Sequence, residues 1–201
     1  MMRPLTLTLA LGLCIVAVPL TAQEASSLAG SRLRNAAEMA AVDQRLGSRF
    51  PESVALRIHG IVDSAVAEGL PSEPLMLRAL EGGAKGVKAD AIYVALDRLR
   101  ISMRRAADAL GYGTSGTDLS TAAAALQTGL APARLVELRN LRGQASLTVP
   151  LGAYLDLTAR GAVPERAWDR VTELARRGAE DREYERIDPA DLVARQPGDR
   201  R

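Results

Sequence analysis

From Ala89 to Leu110, apolar side chains recur at alternating spacings of four and three: Ile92, Leu96, Leu99, Met103, Ala106 and Leu110. That period places all six on one face of an α-helix, as a continuous seam with polar residues opposite. Weaker forms of the pattern cover much of the remaining chain. An amphipathic stretch runs over residues 33–46. Phe50-Pro51 then opens a helix that ends near Glu68, with Phe50 placed to staple against Val54 or a near neighbour. Further helices are predicted over residues 73–85, 118–128, 132–142, 150–160 and 164–177, and a last short one over 189–195. Residues 111–117, with three glycines, form a loop and the best candidate for a subdomain break.

A short pattern recurs between these helices: Gly, an apolar residue at +1, an apolar or small residue at +6. It occurs as Gly69-Leu70 with Leu75, Gly86-Val87 with Ile92, Gly129-Leu130 with Leu135 and Gly161-Ala162 with Ala167, and more weakly as Gly178-Ala179 with Tyr184. An acid stands at +4 in three copies: Glu73, Asp90 and Glu165. Each copy reads as a helix end followed by a helix start. Gly takes the left-handed position that closes a helix, and the apolar residue after it packs back on the last turn. Pro71, Pro74, Pro132 and Pro164 mark new first turns, where the acid at +4 complements the helix dipole. The +6 residue is the first to face the core.

The chain is 47% hydrophobic but 3% aromatic, and its apolar content is mostly Ala and Leu, which favours packed helices over sheets. The expected fold is therefore all-α: an antiparallel helical bundle or a short stack of helix–turn–helix units, with seven to nine helices joined by short turns. Residues 33–195 form a single helical domain on this view, with possible halves 33–110 and 118–195. Residues 23–32 read as a flexible N-terminus and 196–201 as a disordered tail.

The first residues carry an address. Arg3 precedes an apolar run from Leu5 to Leu20, and Thr21-Ala22 precede the polar Gln23-Glu24. A charged start, an apolar middle and a small residue at the cut are the features of a secretory signal peptide over residues 1–22. The run is shorter than the ~20 apolar residues that span a bilayer, so an uncleaved anchor is the secondary reading. Acylation at Cys14 is a third, disfavoured because Leu13 stands where such a site takes a small residue. Cys14 is the sole cysteine and leaves with the leader, so the exported chain forms no disulfide and its core must hold the fold alone.

The net charge of +2 is too small for a phosphate-binding field, and the pairs Arg104-Arg105 and Arg176-Arg177 read as solvated helix faces, so no nucleic-acid partner is expected. No membrane contact is expected after leader cleavage. His59 is the single histidine, which leaves a zinc site without its usual ligands, and neither metal nor cofactor is expected. The run Gly82-Gly83-Ala84-Lys85-Gly86 superficially matches a phosphate loop but lacks the Ser or Thr after Lys and a preceding strand. Glu180, Asp181 and Glu183, and Asp188 with Asp191, are paired carboxylates that could bind a cation or move protons; Arg182 and Arg186 between them point instead to a solvated charged helix. No catalytic constellation emerges. Trp168 and Tyr154 are candidate partner anchors where exposed and core residues where buried.

The most distinctive stretch runs from Arg78 to Asp90. Glu81 and Lys85 lie four apart in the favourable order for a helix pair, yet two glycines between them each cost ~1 kcal/mol relative to Ala. Close approach of another helix, or of a ligand or partner, would offset that cost. Gly69-Leu-Pro-Ser-Glu-Pro-Leu75 followed by Leu80-Glu-Gly-Gly-Ala-Lys-Gly-Val87 resembles a motif of uncharacterised bacterial exported helical proteins, in which GLPxEPL precedes LEGxxKGV. The resemblance covers about 20 residues strongly; it implies an envelope or secreted location and carries over no functional residue. The expected role is a non-enzymatic binding or scaffold module of the periplasm or exterior, contacting an unknown protein or envelope component through Glu81, Lys85 and Lys88. The alternatives are an envelope hydrolase using carboxylates, which would need Glu81, His59 or Asp90 gathered in a cleft, and a membrane-tethered structural protein that keeps its leader.

Overall fold

A computed structural model describes residues 40–192. The leader over 1–22, the segment 23–32, the start of the first amphipathic stretch and the tail 196–201 lie outside the described residues. Within them the fold is all-α. Helix α1 is described over residues 40–49. It is followed by α2 (Glu52–Ala67), α3 (Glu73–Ala84), α4 (Ala89–Leu110), α5 (Gly116–Gln127), α6 (Pro132–Arg142), α7 (Thr148–Ala159), α8 (Pro164–Arg176) and a single turn, α9 (Asp181–Tyr184). No helix here is long and apolar enough to cross a membrane.

The five recurring glycines behave alike. Gly69, Gly86, Gly129, Gly161 and Gly178 all have positive φ, between 67° and 98°. In each case the N–H after the glycine reaches back to the carbonyl five residues earlier: Leu70 to Ala65, Val87 to Gly82, Leu130 to Ala125, Ala162 to Leu157 and Ala179 to Leu174, all at 2.9–3.1 Å. The glycine N–H bonds the carbonyl three residues back, which completes a Schellman turn and satisfies two carbonyls that a helix end leaves bare. The +6 residues Leu75, Ile92, Leu135, Ala167 and Tyr184 are all buried.

Two helix starts differ from expectation, for local reasons. Helix α5 begins at Gly116 because the Ser115 hydroxyl accepts the Asp118 N–H at 3.1 Å, which shortens the predicted loop. Helix α7 begins at Thr148 and carries Pro150 in its first turn, where no donor is missed. The helix expected over 189–195 is described only as a 3-10 turn at Pro189–Asp191. The Leu192 carbonyl behind it accepts the Val163 N–H at 3.0 Å.

Helix packing follows chain order. Helix α2 packs on α3 and α4, α3 on α4 and α5, α4 on α5 and α6, α5 on α7, α6 on α8, and α7 on α8 and α9. The principal pairings thus join helices one or two places apart, the contact pattern of a short stack of helix–turn–helix units. The pairing of α4 with α5 crosses the glycine loop. Small side chains allow close approach there: Ala106 and Ala107 of α4 and Ala122, Ala123 and Ala125 of α5 are all buried.

Candidate functional site

The corner between α3 and α4 holds the residues singled out by sequence. Glu81 accepts from Lys85 Nζ at 2.5 Å and from Arg78 at 2.7 Å, three side chains that remain about half exposed. The bonds from Lys85 and then Arg78 hold the Glu81 carboxyl below its ordinary value. A small hollow of about 100 Å³ beside this cluster is lined by Gly82, Val87, Ala91, Ile92 and Ala95 as well. Lys88 is not part of it: it occupies the extended position before α4, exposed and without an ion pair among the described residues.

The glycine doublet has a packing cause. A Cβ on Gly82 would stand 2.9 Å from Ile92 Cγ1, and one on Gly83 would stand 2.5 Å from Phe50 Cζ. A side chain at either glycine would force Ile92 of α4 or the ring of Phe50 to shift. Arg49 ties the same point, donating to the Gly83 carbonyl at 2.9 Å. The segment that superficially matches a phosphate loop is the last turn of α3 and its Schellman cap.

One side chain departs from the turn pattern. The residue after the glycine is buried at Leu70, Leu130, Ala162 and Ala179, each 4–5% exposed, whereas Val87 is 41% exposed. At this corner the residue after the glycine is left partly in water. The surrounding region shares this trait. Leu56, Val66, Leu77, Val94, Ile101 and Tyr112 are large exposed hydrophobics too, and Val136 is the sole further example among the described residues, so such surface belongs to the α2–α4 part of the fold.

The other sequence candidates resolve into structure. His59 pairs with Asp43 of α1 at 3.2 Å. Neither His59 nor Asp90 joins Glu81 in its hollow. Glu180 and Glu183 form a capping box that starts α9, and Glu183 also pairs with Arg177 at 2.8 Å. Asp188 caps the 3-10 turn by accepting the Ala190 N–H at 2.9 Å. Among the described residues no group of three ligating side chains could hold a metal ion. The arginine pairs divide: Arg104 faces Glu68 at 3.9 Å, Arg176 meets Glu137 at 3.0 Å, and Arg105 meets no acid among the described residues. Trp168 and Tyr154 are core, not anchors. They are 3% and 2% exposed and meet edge to face, and Trp168 donates to Glu137 at 3.3 Å.

Asp118 was missed by sequence reasoning. It is 5% exposed, and its Oδ1 accepts from the Ser146 hydroxyl at 2.7 Å, the Thr148 hydroxyl at 2.7 Å and the Leu147 N–H at 2.9 Å. Arg139 stands 3.5 Å from its Oδ2. Burial pushes this carboxyl up, but the three bonds and the guanidinium outweigh it and hold the group below its ordinary value. Its partners come from α6 (Arg139), the loop before α7 (Ser146, Leu147) and the first residue of α7 (Thr148), so the carboxylate ties α5 to α6 and α7. Its one sequence signal is Ser115-x-x-Asp118, a helix-capping spacing.

No protein-family model, curated protein or solved structure matches the chain.

Proposed function

We propose that this chain is a non-enzymatic binding or scaffold module of the bacterial envelope, exported by its leader, which engages a protein or other envelope component at the α3–α4 corner. The observation that carries this reading is Val87. Its backbone makes the same turn as four buried counterparts, yet its side chain stays 41% exposed in the hollow it shares with Glu81 and Lys85. Contact patches combine an apolar centre with a polar rim, and Val87 with its charged neighbours has that arrangement in small. The shared packing of the glycine doublet supports the same view from the inside. Ile92 packs against Gly82 and Phe50 against Gly83, so the patch sits on a closely packed support.

Affinity capture from the native envelope tests this reading, with wild type beside a Glu81→Lys/Lys85→Glu variant shown to fold by circular dichroism. One dominant partner recovered by wild type and lost by the variant is expected. A partner retained by both keeps the binding role but removes the site, and no partner with either removes the role. Intact mass of the exported protein checks the leader: a product short by about 22 residues is expected.

A further inference from the structure

The outer face of α4 carries a second pattern, independent of the buried seam. Val94, Arg98, Ile101 and Arg105 follow one another at spacings of four, three and four, which aligns them in one exposed row. Val94 is 50% exposed and Ile101 46%. Arg98 and Arg105 are exposed and meet no acid among the described residues. The apolar pair and the cationic pair each repeat after seven residues, about 10 Å along the helix. Beside the row lie two shallow grooves. One, of about 360 Å³, has Arg78 and Arg98 at its edge. The other, of about 410 Å³, has Arg105 and the exposed Val136.

Three acids of α4 lie near this row, and neither Arg98 nor Arg105 pairs with any of them. Asp97 pairs with Arg100 at 3.5 Å, and Asp108 accepts from the Tyr112 hydroxyl at 2.9 Å. Asp90 sits in the first turn of α4, where the helix dipole favours it. Asp90 and Asp108 keep their charge, but the row itself carries two arginines and no acid, so its own charge is positive. A second copy of the chain laid on it would set arginine against arginine. A lipid surface would meet two β-branched residues and no aromatic side chain in the row, a poor interfacial anchor.

We infer that the α4 row is the docking surface for an acidic amphipathic helix of a partner protein, whose apolar stripe covers Val94 and Ile101 and whose carboxylates, one heptad apart, pair with Arg98 and Arg105. The seven-residue repeat of both pairs is the spacing at which one helix matches another along its length. Two unpaired guanidiniums offer bidentate geometry to carboxylates. The inference rests on the binding-module reading and names its partner's chemistry.

The test is site-directed crosslinking. Ile101→Cys adds one thiol to a chain whose single natural cysteine is Cys14, and a thiol-linked photoreactive probe on it is activated in native envelopes. Mass spectrometry then identifies the captured segment. The expected product is a segment with apolar residues at helical spacing and Asp or Glu flanking them, and its yield falls at least tenfold when Arg98→Glu and Arg105→Glu are added. Circular dichroism on the same proteins establishes that both variants fold. A crosslink to a second copy, to lipid or to a segment without acids overturns the inference, as does no crosslink or a yield unmoved by charge reversal. If that happens while the Glu81→Lys/Lys85→Glu variant still loses its partner, the binding role stands and only the α4 assignment falls.

Discussion

The corners at Gly86-Val87 and Gly161-Ala162 are built from one backbone device and end differently. Both glycines adopt positive φ, and both following N–H groups close the same reach-back bond at 3.0 Å. Ala162 is then 4% exposed, with the N–H of the next residue, Val163, bonded to Leu192. Val87 is 41% exposed. The hydrogen bonds of a Schellman turn thus do not decide what becomes of the side chain that follows; neighbouring elements do. Around α7 and α8 those neighbours exist, and Tyr154, Trp168 and Tyr184 fill the space between helices. At the Gly86-Val87 corner no such neighbour covers the side chain among the described residues, and the apolar surface left over on α4 lies beside unpaired cations.

The largest expected effect separates equivalent turn positions. Leu130→Ala, at a buried position, should cost about 2–4 kcal/mol, while Val87→Ala should stay within about 0.5 kcal/mol. Urea unfolding of the two variants measures the difference, and equal costs would mean that Val87 is covered in solution.

Next in size is the Asp118 tether. Asp118→Ala should destabilise by about 3 kcal/mol, because a buried N–H and an arginine lose their acceptor. The pH dependence follows from the direction of the shift. A carboxyl held low in the folded state stabilises while it is ionised, and that share is lost as pH falls through its folded value. The gap between wild type and variant should therefore hold from neutral pH down to about 4 and narrow below it, as read by thermal melts across that range.

A smaller pair of effects has opposite signs. Gly82→Ala in α3 forces a Cβ against the buried, stiff Ile92 and should destabilise by about 1–2 kcal/mol. Gly152→Ala in α7 meets nothing within 4 Å and should stabilise by about 0.5–1 kcal/mol through helix propensity. Paired denaturation curves check both signs.

The signals that were legible in the sequence are local ones. Glycine caps, proline starts and the 89–110 seam each depend on residues within a turn or two, and they placed α3, α4, α6 and α8 to within a residue or so. What was not legible depends on distant partners. The ligands of Asp118 lie 21 to 30 residues away. Phe50 and Ile92, which explain the glycine doublet, come from different helix junctions. Val87 matches its four counterparts in type, so no local pattern could foretell its exposure.

The most direct test of the central claim, that the α3–α4 corner is the contact surface, is quantitative envelope capture with Val87→Glu beside Arg160→Glu. The second variant changes an exposed arginine at the contrasting corner, paired with Asp156 at 3.0 Å. Val87→Glu should lose the captured partner at least tenfold, and Arg160→Glu should recover it in full. Equal recovery with both variants, or loss with Arg160→Glu alone, would contradict that claim.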